Sequence, residues 1–158
     1  MAKRTHHYQV ELDWTGNEGK GTCSYLAYSR NFLISGKSKP DILASSDPAF
    51  LGESTRWNPE ELLVASVAAC HKLWYLHLCA EAGVSVYSYK DRATGVMTEE
   101  NNGHFTGITL NPDIIIRAGD DIRLASDLHH RAHEACFIAN SLNFSVLCEP
   151  SITHLHHI

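Results

Sequence analysis

Apolar and polar residues alternate from Tyr8 through Val10, Leu12 and Trp14, which is the two-residue period of a half-buried strand. The run Thr15-Gly16-Asn17-Glu18-Gly19-Lys20-Gly21 supplies three glycines for positive φ, and residues 22–29 resume the strand pattern, so the opening predicts a β-hairpin. The less regular residues 32–45 hold another strand. A turn-rich loop over 46–57 gives way to Asn58-Pro59-Glu60-Glu61. Here asparagine can cap a helix, proline suits its first position, and the two glutamates favour its positive end. The helix should run to Ala82, because Gly83 fits the left-handed residue just past a helix end. Its apolar residues cover nearly the whole circumference, which predicts burial on most sides.

Residues 84–97 and 104–117, separated by a turn at Asn101-Asn102-Gly103, read as an antiparallel meander with Pro112 tolerable at an edge. A second helix follows, capped by Asp120 or Asp121. Its inward stripe is Ile122, Ala125, Leu128, Ala132, Ala135 and Ala139, at intervals of three and four residues. Residues 144–149 form a last strand. The order of strands, long helix, strands, helix and strand predicts an α+β fold with sheet packed against two central helices. A length of 158 residues with 44% hydrophobic content suits one domain spanning 1–158.

Charge and cysteine usage narrow the function. The formal net charge is -5 and the 13 Lys and Arg residues are scattered singly, so nucleic acid is not an expected partner. The N-terminal MAKRTHHYQV is basic but runs directly into the strand pattern, without the apolar stretch of a secretory signal, which predicts a cytoplasmic protein. The longest apolar region, 62–82, is interrupted by His71, Lys72, His77 and Glu81, so no membrane partner is expected. The cysteines, Cys23, Cys70, Cys79, Cys136 and Cys148, are odd in number. In a reducing compartment that argues against a structural disulfide framework and for catalytic use of any disulfide.

Each predicted helix carries a cysteine in an apolar setting, Cys70 in AACHKLWYL and Cys136 in HEACFIANS. Cys79 falls nine positions after Cys70 and therefore on the opposite helix face. Cys23 and Cys148 lie in predicted strands as plain core or surface thiols. A reactive cysteine must be a thiolate, and a mid-helix position gains little from the helix dipole. The cation beside it has to be an arginine, with Arg30 and Arg56 as candidates and Glu60 as the carboxylate to hold it. Arg56 and Glu60, four apart, also fit a plain exposed pair at the helix start. His129, His130 and His133 precede Cys136, and His129, His133 and Cys136 have the spacing of a zinc constellation without an obvious second ligand cluster. His71 points about 100° away from Cys70 around the helix, which suits packing rather than service as its base.

Together, NPEELLVASVAACH, the glycine-closed helix it opens, and LHHRAHEACFIANSLNFSV resemble the OsmC/Ohr family of organic hydroperoxide reductases. The most specific element is the NPE helix start with cysteine ten residues after the glutamate, Glu60 to Cys70, paired with a second helix bearing Cys136. The resemblance implies an OsmC-like fold with antiparallel sheets wrapped around two central helices in an intertwined homodimer. It further implies a thiol-dependent peroxidase without a cofactor or metal, in which Cys70 is peroxidatic and Cys136 resolving; the activating arginine is Arg30 or Arg56, with Arg30 preferred, and Glu60 its carboxylate. The implied partners are an organic hydroperoxide and a dithiol reductant of lipoyl type. The sequence differs from better-studied members in having CH at the first cysteine, CFIANS at the second, and only Lys20 in the hairpin where one branch places its arginine. Two other readings compete: a non-catalytic module of the same fold holding an apolar ligand, and a His/Cys metal-binding protein built on His129, His133 and Cys136.

Overall fold

The computed structural model describes residues 3–156 and divides into two compact units, Met1–Leu62 and Leu63–Ile158. In the first unit, β1 (Glu11–Trp14), β2 (Phe32–Ser35) and β3 (Ile42–Ala44) form an antiparallel sheet in chain order. The strand expected at the start is present, but its partner is Phe32–Ser35 and not residues 22–29. Pairing extends past β1 through Thr15 N–H to Asn31 O (3.0 Å) and Ser29 N–H to Gly16 O (2.9 Å), leaving residues 17–28 as a loop. Side chains occupy the backbone groups that a ladder there would have used. Asn17 Oδ1 accepts from the amides of Gly19 and Gly21, Trp14 Nε1 donates to Ser29 O, and Arg30 donates to the carbonyls of Tyr25 and Tyr28. Gly16 has no room for a side chain, since a Cβ would fall on the Ser29 carbonyl. The alternation does not bury a face either: Val10 is 71% and Leu12 62% exposed.

Helix α1 (Pro59–Ala82) opens as its sequence predicts and with one bond more. Asn58 Oδ1 accepts from Glu61 N–H at 2.8 Å, and Glu61 Oε2 in turn accepts from Asn58 N–H at 3.3 Å, a reciprocal capping box. Gly83, at φ +77°, ends it.

In the second unit α1 buries a single stripe, Val67, His71, Tyr75, Leu78 and Cys79, while Leu73 on the opposite side is 63% exposed. The expected burial on most sides is therefore corrected to one-sided packing, because the layers of this chain cover only that stripe. By length and composition alone α1 could also cross a membrane, contrary to expectation: histidine is neutral and Lys72 is the one full charge between Leu62 and Ala80.

The strands of the second unit are β4 (Val86–Asp91), β5 (Thr94–Thr98), β6 (His104–Leu110), β7 (Pro112–Ile116), β8 (Ser145–Cys148) and β9 (Ser151–His154). They form two three-stranded sheets, β4-β7-β9 and β5-β6-β8. The meander is thus a hairpin, β5-β6, inserted between β4 and its antiparallel partner β7. After helix α2 (Ile122–Ala135) the chain returns to add β8 parallel to β6 and β9 parallel to β7, so the sheets are mixed rather than antiparallel. Pro112 sits in a central strand, not at an edge, but as its first residue, where a missing N–H is tolerated. Asp121 caps α2, accepting from Arg123 and Leu124 amides. Tyr75, Leu78 and Cys79 of α1 share one core with Ile114, Ile116, Ala125, Leu128 and Ala132, and Val67 shares a second with Ile108 and Leu110.

Gly95 brings β5 against α1: a Cβ there would lie 2.7 Å from Val64 Cγ2 and 2.9 Å from Phe105 Cε1. Gly95→Val should destabilise the fold by about 1–3 kcal/mol through overpacking. Chemical denaturation of the two proteins checks this.

Candidate functional site

The phase of α1 decides where Cys70 lies. His71 belongs to the buried stripe, so its predecessor is rotated about 100° from that stripe to a half-buried margin. Cys136 comes to the same place from another element. The sequence places it within the second helix, but α2 stops at Ala135 and Cys136 is its C-cap, with extended backbone at φ -71° and ψ 105°. The helix closes there because Cys136 N–H donates to His133 O (3.2 Å) and Asn140 Nδ2 takes the carbonyl of Glu134 (3.0 Å). Ala139, expected in the helix stripe, lies in a short 3-10 turn instead.

The Cys70 and Cys136 side chains are neighbours. Burial first, and then the contact with Cys70, push the Cys136 thiol up to about 11. Cys136 is therefore a protonated thiol at neutral pH, facing the Cys70 sulfur. Trp74, one helical turn beyond Cys70, meets Phe137 edge to face with centroids 5.5 Å apart.

The charged residues singled out by the sequence lie in the first unit. Arg30 donates to Tyr28 O and Tyr25 O, both at 2.6 Å, and its guanidinium carbon stands 4.1 Å and 4.4 Å from the ring centroids of Tyr28 and Tyr25. Arg56 pairs with Glu53 at 3.3 Å rather than with Glu60. Glu60 Oε2 and Arg56 Nη1 are buried without a hydrogen-bond partner among the described residues.

The histidines regroup. His133 is exposed and Cys136 lies beside Cys70, so the His129–His133–Cys136 constellation of the competing metal-binding reading does not form. His129 turns inward and its Nδ1 lies 2.9 Å from His71 Nε2, with Cys148 Sγ 3.6 Å from each. Tyr75 stacks on the His129 ring with centroids 3.8 Å apart. Desolvation, aided by the neighbouring His133, lowers His71 to about 4. Desolvation, then His71 and His130, lowers His129 to about 3. Burial, followed by Asp91 and Glu149, raises the Cys148 thiol to about 12. Sequence reasoning missed Cys148 as a member of any site, since 77 and 19 residues separate it from its two partners.

Two imidazoles that must stay neutral in the fold bind protons more readily once it opens. Their contribution is complete above the unfolded value of about 6.5 and is lost as pH falls from there towards 4. With a chelator present, stability should drop by about 2–4 kcal/mol between pH 7 and pH 5. The lowered carboxylates Glu53 and Asp120 act below that window. Thermal melts across it test the prediction, and a flat profile would refute it.

Residues 52–151, well over half of the chain, match the family model described as OsmC-like protein. An uncharacterized protein of Bacillus subtilis (strain 168), YmaD, is 24% identical over 89% of this chain and 89% of its own. Among solved structures, the OsmC-like protein of unknown function VCA0330 from Vibrio cholerae is 28% identical, covers 93% of this chain and 100% of its own, and has a TM-score of 0.84. The organic hydroperoxide resistance protein OsmC from Legionella pneumophila is similar in fold, with 20% identity, a TM-score of 0.65 and coverage of 94% and 99%. On the match of the family model, this chain belongs to the OsmC-like protein family.

Proposed function

We propose that this protein is a thiol-dependent peroxidase that reduces organic hydroperoxides. The observation that carries the reading is the contact between Cys70 and Cys136. Cys70, at the half-buried margin, is the nucleophile: its thiolate attacks the outer peroxide oxygen, the O–O bond breaks, and the alkoxide takes a proton to leave as an alcohol. The sulfenic acid then condenses with the Cys136 thiol, releasing water and forming the Cys70–Cys136 disulfide. A dithiol of lipoyl type reduces that disulfide by exchange, leaving as its own cyclic disulfide.

An apolar alkyl group on the peroxide suits the surface beside the thiols, where Leu73 is 63% and Phe137 67% exposed and Trp74 packs against Phe137. The fold relatives named as organic hydroperoxide resistance proteins, from Legionella pneumophila and Elizabethkingia anophelis, support the same substrate class. In this reading Arg30 is the activating cation and Glu60 its carboxylate. Ten residues of continuous helix put Glu60 about 15 Å along the axis from its own Cys70. The carboxylate therefore comes from a second copy of the chain, and the working form is a homodimer with a composite site. The whole chain, 1–158, acts as one cytoplasmic domain without nucleic-acid or membrane partners.

Two predictions test the assignment. With an alkyl hydroperoxide and a dithiol, Cys70→Ser should abolish turnover, whereas Cys136→Ser should consume about one peroxide per subunit and then stall. Sustained turnover by Cys70→Ser would overturn the reading. Arg30→Met should slow alkylation of Cys70 at neutral pH by about tenfold, while Arg56→Met leaves it unchanged. Equal rates in both variants and the parent would remove Arg30 from the mechanism.

A further inference from the structure

The peroxidase reading leaves unused a second group of reactive side chains, drawn from three elements of the second unit. His71 of α1, His129 of α2 and Cys148 of β8 place one ligand-type atom each within 4.8 Å of the others. The two histidines are only 1% and 3% exposed. We propose that His71, His129 and Cys148 bind a transition-metal ion, with zinc(II) the ion their donor set fits.

Two imidazoles and a thiolate, without a carboxylate among them, select a borderline or soft ion over magnesium or calcium. A tetrahedral zinc with Zn–N of about 2.05 Å and Zn–S of about 2.3 Å sets N···S pairs about 3.5 Å apart and the N···N pair about 3.3 Å apart. Both observed N···S separations, 3.6 Å, meet that requirement as they stand. The N···N separation of 2.9 Å is that of a hydrogen bond. With the rings 6° from parallel and their centroids 5.2 Å apart, the imidazoles lie edge to edge along that bond. Zinc takes the place of the shared proton, which moves to the other nitrogen of the donor ring so that both imidazoles stay neutral, and the rings tilt to open the gap by about 0.4 Å. On binding, the Cys148 thiol alone gives up its proton to solvent, and the sulfur donates its electron pair to the ion. No electrons are transferred, so no oxidant or reductant enters.

The position has an entrance. A cavity of about 260 Å³ lined by His129, His130, His133, Val146 and Cys148, among others, reaches two of the three ligands and leaves the fourth coordination position open to water or a small ligand. The ligands also have supports: the Tyr75 ring lies against the face of His129 and fixes its plane. Cys70 precedes His71 but points about 100° away around the helix, so the ion and the thiol pair do not share a face.

Cobalt(II), competed by zinc(II), reports the thiolate directly. The reduced, chelator-stripped full chain should develop a thiolate-to-cobalt charge-transfer band that saturates at a single ion per chain and is bleached by zinc. The band should persist in a Cys70→Ser, Cys136→Ser double variant, which separates this site from the peroxidase assignment, and should vanish in Cys148→Ser. No band in the parent protein overturns the proposal, as does a band that survives Cys148→Ser or is lost in the double variant. Exposed histidines that bind cobalt without sulfur give no such band and count as the first of these outcomes. Should Cys148→Ser fail to fold, the unaltered protein decides. Zinc should slow alkylation of Cys148, mapped on its peptide, by about tenfold or more, and an unchanged rate overturns the site.

Discussion

The rotational phase of α1 is the constraint on which the rest of the second unit depends. A helix with apolar residues nearly all round could pack in many orientations. The stripe Val67–His71–Tyr75–Leu78 is nevertheless the one turned to α2 and the sheets. Fixing that stripe fixes every other side chain on the helix at 100° per residue. Cys70 is thereby carried to a half-buried margin, Leu73 is turned out to solvent, and His71 is driven into the core. α2 obeys the same rule from the other side. Its buried line runs through Ala125, Leu128, His129 and Ala132, and the next position one turn on, at its C-cap, is Cys136.

An apolar trio at positions 71, 129 and 148 would make a simpler core. Burying two imidazoles holds both in their neutral form, and a buried polar atom without a partner costs about 1–3 kcal/mol. Among the described residues His129 Nε2, Tyr89 Oη and Asp91 Oδ2 are such atoms, and Tyr89 and Cys148 both feel the charge of Asp91. A packed core tolerates a polar cluster of this kind when the cluster has work to do, because sequences break local rules chiefly at functional sites. The composition of the cluster then matters more than its cost. Two nitrogens and a sulfur converging from α1, α2 and β8 match the donor set of the zinc site proposed above.

What the sequence made legible follows how local each signal is. The start of α1 is written in four consecutive residues, and Asn58 and Glu61 form the bonds their spacing calls for. The end at Gly83 is equally local. Sheet pairing is not. β1 sits beside a three-glycine turn and an alternating segment, yet pairs with Phe32–Ser35, because Asn17, Trp14 and Arg30 bind the intervening backbone with their side chains. Nor does alternation state whether a face is buried, as exposed Leu12 shows. β9, outside the predicted elements, is only four residues long and gains its place by joining β7 after the chain has turned at Pro150. The site divides along the same line. Cys70 and Cys136 were recognisable because each lies in a helix motif, while Cys148 joins His71 only through a parallel strand pairing that no local pattern encodes.

The two clusters also differ in how freely they can move, and that difference fits the chemistry proposed for each. His71, His129 and Cys148 are held by two helices and a paired strand, with Tyr75 against one ring, which favours a fixed coordination geometry over a changing covalent one. Cys70 is equally fixed, in the middle of α1. Cys136 is not: it stands past the last turn of α2, in extended backbone, followed by a short 3-10 turn instead of regular helix. Converting a thiol contact into a 2.05 Å S–S bond requires one partner to shift. In the proposed cycle that shift falls on Cys136, whose backbone lies outside α1 and past the last turn of α2. In the proposed peroxidase, a resolving cysteine at a helix cap and a nucleophile inside a helix would let a disulfide form and reopen while the core behind Cys70 stays packed.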